Sequence, residues 1–83
     1  MATQTIRMYA TAWCGDCFRA KRFFDTHEVT YDYIDINDDP EGARIVEQTN
    51  NGSRSVPTII FPDGSVLVEP SDRELADKLQ LTS

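Results

Sequence analysis

The chain's two cysteines, Cys14 and Cys17, are spaced Cys-x-x-Cys in the stretch Trp13-Cys14-Gly15-Asp16-Cys17. The motif follows a strand-like run and opens a helix-like one. A thiol over the first turn of a helix meets unpaired backbone N–H groups and the positive end of the helix dipole, and both favour a thiolate. The second cysteine lies one turn along, close enough to form a short disulfide with the first. Such a pair suits thiol–disulfide exchange: the exposed thiolate attacks a disulfide, and its neighbour resolves the mixed disulfide that forms. Asp16 works in the other direction. A carboxylate beside Cys14 disfavours a thiolate there, and by destabilising the reduced form it biases the pair towards being a reductant.

A zinc half-site is the bland alternative, but zinc takes four ligands, usually from two such pairs. His27 lies ten residues beyond Cys17 on the same helix, too far along the axis to share a tetrahedron with it. No metal site is therefore expected. His27 itself reads as a residue near a helix end, where the dipole favours a partly positive imidazole, and it is given no catalytic role.

Composition narrows the class. Eighty-three residues, 40% of them hydrophobic, suit one domain with one core, spanning residues 1–83. A net charge of −6 argues against nucleic acid as a partner, because phosphate binding wants a basic face. No apolar run approaches the roughly 20 residues of a membrane span. The stretch Met1–Arg7 has neither the charged start nor the apolar core of a leader. A Cys-x-x-Cys pair in that setting is more often redox-active or metal-binding than a structural staple, so a cytoplasmic location is expected, and the chain is expected to be a monomer.

The elements that must position the cysteines follow in order. Thr5–Thr11 reads as a strand, with Ile6, Met8 and Ala10 alternating against Arg7 and Tyr9. A helix then runs to about His27, with Cys17, Ala20, Phe24 and His27 on one stripe and Phe23 beside it. That stripe buries Cys17 and leaves Cys14 at the exposed tip, while Arg19, Lys21 and Arg22 read first as a solvated face and second as a field that attracts an anionic thiol. Tyr31–Ile36 is a second strand, rich in aromatic and β-branched residues. Asp39-Pro40-Glu41 starts a helix, which carries Ala43 and Val46 inward and stops by Asn50-Asn51-Gly52. Thr58–Phe61 and Val66–Val68 form a hairpin about the turn Pro62-Asp63-Gly64-Ser65. Ser71-Asp72-Arg73-Glu74 is a capping box, opening a last helix with Leu75, Ala76 and Leu79 inward. The order β-α-β-α-β-β-α implies an α/β domain with a four-stranded mixed sheet and three helices. Its first β-α-β is a right-handed parallel unit.

Strand, Trp-Cys-Gly-x-Cys, helix, and later Val56-Pro57 before a hairpin resemble the thioredoxin fold in its small glutaredoxin form. The stretches from Asn51 to Thr58, from Phe61 to Ser65, and Pro70-Ser71 are similar to the mycoredoxin branch, itself similar to glutaredoxin-like electron donors of ribonucleotide reductase. The resemblance implies a thiol–disulfide oxidoreductase with Cys14 as nucleophile and Cys17 as resolving or buffering thiol. It implies a cis peptide bond before Pro57, facing the cysteines, with the Val56 backbone turned out to pair with a bound thiol or peptide. Ser71 and Asp72 match the helix start that holds the γ-glutamyl end of glutathione. Trp13 reads as a residue packed under the loop, a lid over the thiolate, or both. Arg54 is placed to attract an anionic thiol.

No resident cofactor is implied. The implied co-substrate is a low-molecular-weight thiol, namely glutathione, mycothiol or bacillithiol. The implied partners are disulfide-containing or thiolated proteins and a flavoprotein reductase. An iron–sulfur cluster carrier and a thioredoxin-like donor without a small thiol are the rival readings. The sequence departs from the commoner glutaredoxin pattern at three places: Thr11 replaces a lysine, Glu69-Pro70 replaces Gly-Gly, and Gly15-Asp16 replaces Pro-Tyr.

Overall fold

Ile6–Ala10 forms β1, and the rest of the chain is laid against it. In this computed structural model, which describes residues 5–81, β1 lies parallel to β2 (Tyr31–Asp35), with Met8 opposite Tyr33. On its other side β1 runs antiparallel to β3 (Thr58–Ile60), with Met8 opposite Ile59. The edge strand β4 (Val66–Val68) pairs antiparallel with β3, giving the sheet order β2-β1-β3-β4. With α1 (Gly15–Thr26), α2 (Pro40–Thr49) and α3 (Asp72–Leu79) between and after these strands, the element order is the one expected. The residues Met1–Gln4 within the stretch read for a leader lie outside the described residues. None of the described helices is long and apolar enough to cross a membrane.

The sheet buries both of its faces. Ile6, Met8 and Ala10 point to one side, where they meet Phe24 of α1 and Leu75 of α3. Tyr9 points to the other, where it packs with Ala43 and Val46 of α2 and with Ile36. The alternation in β1 had put Tyr9 on the same side as the charged Arg7, yet it is only 2% exposed. Its apolar ring is covered because the crossover carrying α2 passes over that side of the sheet, as helices on both faces of an α/β sheet do.

Close approach of α2 requires a glycine. A Cβ built at Gly42 would stand 2.9 Å from Ile34 Cγ2 and 3.4 Å from Tyr9 Cδ2. Alanine in a helix interior gains about 0.5–1 kcal/mol over glycine. Ile34, however, is β-branched and stiff, and overpacking of this kind costs about 1–3 kcal/mol. Gly42→Ala is therefore expected to destabilise the fold by about 1 kcal/mol net in urea denaturation; a gain in stability would show that the helix has room to move.

The helix ends follow local chemistry. Asp39 caps α2 through the Gly42 N–H at 3.1 Å, with Pro40 at the first position. The helix stops at Asn50, and Asn51 and Gly52 follow at φ +57° and +96°. In the hairpin, the Gly64 N–H reaches Phe61 O at 2.8 Å, and Gly64 takes φ +88°, which glycine adopts without steric cost. One expectation needs correcting. His27, placed on the buried stripe of α1, is an exposed cap just past its end. Its Nδ1 lies 3.0 Å from Phe23 O and its ring lies against Phe23 at 4.2 Å, because the stripe runs out where the helix does.

Candidate active site

The N-terminus of α1 is capped by a sulfur. Cys14 is the N-cap residue, extended at φ −100° and ψ 116°, and its Sγ accepts the Cys17 N–H at 3.0 Å. Caps are usually oxygens of Ser, Thr, Asp or Asn. A thiolate in that place satisfies an orphan N–H and gains from the helix dipole. On its other side Sγ lies 3.7 Å from the carbonyl of Val56, a contact its S–H can make as donor. Both cysteines are free, but they are not equivalent. Cys14 is half-buried, whereas Cys17 is 1% exposed.

Burial, and then the hydrogen bond and charge of Cys14, push the Cys17 thiol up to about 12. A backbone hydrogen bond from Thr11 pulls the other way, and Asp16 adds the smallest push upward. Cys17 is thus a neutral thiol at physiological pH. Two of the contributions holding its proton come from Cys14, so they weaken once Cys14 enters a mixed disulfide. Burial, the largest cause, remains.

The opposite wall of the site is the loop before β3. The Val56–Pro57 peptide bond is cis, with the Val56 carbonyl facing Cys14 and Pro57 buried. This loop is fastened beneath by Thr58, the one buried polar side chain among the described residues. Its Oγ1 donates to Ser55 O at 2.7 Å and accepts from Asn50 Nδ2 at 3.0 Å. Behind it, Pro57 O accepts the Glu69 N–H at 2.9 Å. Sequence reading passed over Asn50 and Thr58, since a Thr at a strand start and an Asn at a helix end carry ordinary local explanations.

The other candidates divide. Ser71 and Glu74 form both halves of the capping box, at 3.1 and 2.8 Å. Asp72, in the first turn of α3, reaches Arg19 at 3.9 Å, and Arg19 in turn reaches Asp16 at 3.2 Å. Arg19 is exposed, as expected of a solvated face, and from there it lies between the first turn of α1 and the first turn of α3. The Asp16–Arg19 half was visible as an i,i+3 pair of opposite charge; the Asp72 half comes from the packing of α1 against α3. Arg54 forms an ion pair with Glu47 of α2. Trp13 is 93% exposed and so is not packed under the loop, and Phe18 beside the motif is 67% exposed. Starting at Arg19 and Asp72, a groove of about 480 Å³ runs between α1 and α3, past Arg22, Thr26 and His27. Among the described residues, no three His, Cys, Asp or Glu side chains gather where they could hold a metal ion.

The chain that carries this geometry has counterparts among known proteins. The family model described as Glutaredoxin matches residues 6–67. A Mycobacterium tuberculosis protein assigned as a glutaredoxin is 40% identical over 79 residues, spanning 95% of this chain and 94% of its own length. Mycoredoxin 1 of Corynebacterium glutamicum is 35% identical over 75 residues, spanning 90% of this chain and 92% of its own. Among solved structures, a thioredoxin-like protein superposes with a TM-score of 0.84 at 24% identity, covering 96% of this chain and 100% of that one. A glutaredoxin from Archaeoglobus fulgidus gives 0.76 at 22% identity over 95% of this chain and 89% of its own; at these identities both likenesses speak for the fold alone. The chain belongs to the glutaredoxin family and is a thiol–disulfide oxidoreductase of the glutaredoxin and mycoredoxin type.

Proposed function

We propose that the protein reduces protein–small-thiol mixed disulfides through Cys14, with mycothiol as the small thiol. The observation that carries the first half is the Cys17 N–H bond to Cys14 Sγ at a helix start. In the proposed cycle the Cys14 thiolate attacks the small-thiol sulfur of the mixed disulfide. The old S–S bond breaks, the protein thiolate leaves and takes a proton, and Cys14 is left bonded to the small thiol. A second small thiol, as thiolate, attacks the small-thiol sulfur of that adduct and releases Cys14, forming the symmetrical small-thiol disulfide. In the dithiol variant Cys17 loses its proton and attacks Cys14 Sγ. That expels the small thiol and leaves a Cys14–Cys17 disulfide, which an external two-electron reductant must reopen.

The choice of thiol rests on charge. Glutathione and bacillithiol carry carboxylates, whereas mycothiol is a neutral cysteinyl sugar. At the mouth of this site Thr11 offers no cation, Arg19 is engaged by Asp16 and Asp72, and Arg54 by Glu47. A carboxylate at Arg19 or Arg54 would have to displace these contacts, and a hydroxyl-rich thiol would not. The groove beside Asp72, lined also by Arg22, Thr26 and His27, has room for sugar hydroxyls. The name of the Corynebacterium relative, mycoredoxin, supports the same thiol. In this reading Val56 offers its backbone to the bound thiol, Pro57 shapes that surface, Ser71 and Asp72 border the carrier, and Trp13 covers the reacting sulfurs.

Offering the oxidised protein mycothiol, glutathione, bacillithiol or a thioredoxin reductase in parallel is the test. Fastest turnover with mycothiol is expected. Equal rates with all three thiols would refute the charge argument, and recycling by the reductase alone would favour a thioredoxin-like donor. Brown, dimeric protein from anaerobic purification would favour a cluster carrier instead. Cys17→Ser is expected to keep the reduction of mixed disulfides and to lose the reduction of protein disulfides. Loss of both would refute the monothiol route.

A further inference from the structure

The acid–base–acid bridge Asp16–Arg19–Asp72 is not required to build the fold. Its side chains are 46–57% exposed, and exposed ion pairs contribute about 0–1 kcal/mol to stability. Its position is what matters. Asp16 sits between the two cysteines, in the first turn of the helix that Cys14 caps. A bare carboxylate there would oppose the helix dipole at the sulfur. The guanidinium of Arg19 lies 3.2 Å from that carboxylate, and Asp72, reaching in from α3 at 3.9 Å, holds Arg19 from the far side.

We propose that Arg19 is a positioning residue for the reaction: it offsets the charge of Asp16, keeps Cys14 reactive, and is steered into place by Asp72. The inference rests on Cys14 being the nucleophile. It explains how a carboxylate is tolerated inside the motif.

The test is the rate at which iodoacetamide, an uncharged reagent that Arg19 does not steer, alkylates Cys14 of the reduced protein near neutral pH. Peptide mapping identifies the labelled cysteine, and thermal melting checks that each variant is folded. Arg19→Gln is expected to slow alkylation about threefold, the scale of a partly screened charge pair. Arg19→Lys keeps the charge and restores most of the rate. In an Asp16→Asn background, Arg19→Gln has little further effect. A loss of the same size with Asn at 16, no loss in the parent, or no rescue by lysine would each overturn the inference while leaving Cys14 as nucleophile. Labelling that falls on a residue other than Cys14 would overturn both.

Discussion

Cys14→Ser is expected to abolish the reduction of mixed disulfides and of protein disulfides alike, by a factor on the order of a thousand or more. The fold has no reason to fail with it. A serine oxygen is a good helix cap and can accept the Cys17 N–H that Sγ accepts now. What disappears is the one accessible thiol among the described residues, since Cys17 is 1% exposed and its thiol is pushed up to about 12. A hydroxyl at position 14 forms no anion near neutral pH and cannot take part in sulfur exchange. Assays of both reactions, with melting curves to show that the variant is folded, check this. Activity within tenfold of the parent would mean that the nucleophile is elsewhere.

The second large effect is on stability. Phe24 is fully buried, lying edge-on to Phe23 at 6.4 Å and against Tyr31 of β2 at 5.0 Å. It joins α1 to the sheet from the same face of the helix that holds Cys17 and Ala20 inward. Phe→Ala in a core costs about 3–5 kcal/mol through lost transfer energy and an unfilled cavity. A domain of this size has about 5–15 kcal/mol in all and sits towards the lower end. Phe24→Ala is therefore expected to bring the protein close to unfolding at ambient temperature. Urea denaturation reads the change; a loss below about 1 kcal/mol would show that the α1 seam is not the principal packing contact.

Much of this was readable in advance because the signals are local. The capping box at Ser71–Glu74, the Asp39-Pro40 start, the Pro62–Ser65 turn and the Cys14–Cys17 spacing each determine a conformation within a few residues, and each is found where expected. The cis bond before Pro57 came only from family resemblance, since nothing in the residues around it announces it. What remained hidden depends on residues far apart in the chain. The cover over Tyr9 is provided by α2, over thirty residues later. Arg54 faces Glu47, and Arg19 is shared with Asp72, because tertiary packing brings those partners within reach. Trp13 shows the reverse case: a large apolar residue beside the motif is commonly core, yet here it stands 93% exposed.

The two thiols of this chain have opposite standing: one caps a helix and is half-buried, the other is shielded and keeps its proton. Mass-spectrometric mapping of the reduced, native protein after brief treatment with limiting iodoacetamide near neutral pH reads that difference directly. The label is expected on Cys14 alone, with Cys17 modified only after denaturation. Equal labelling of the two cysteines, or a faster reaction at Cys17, would contradict the account.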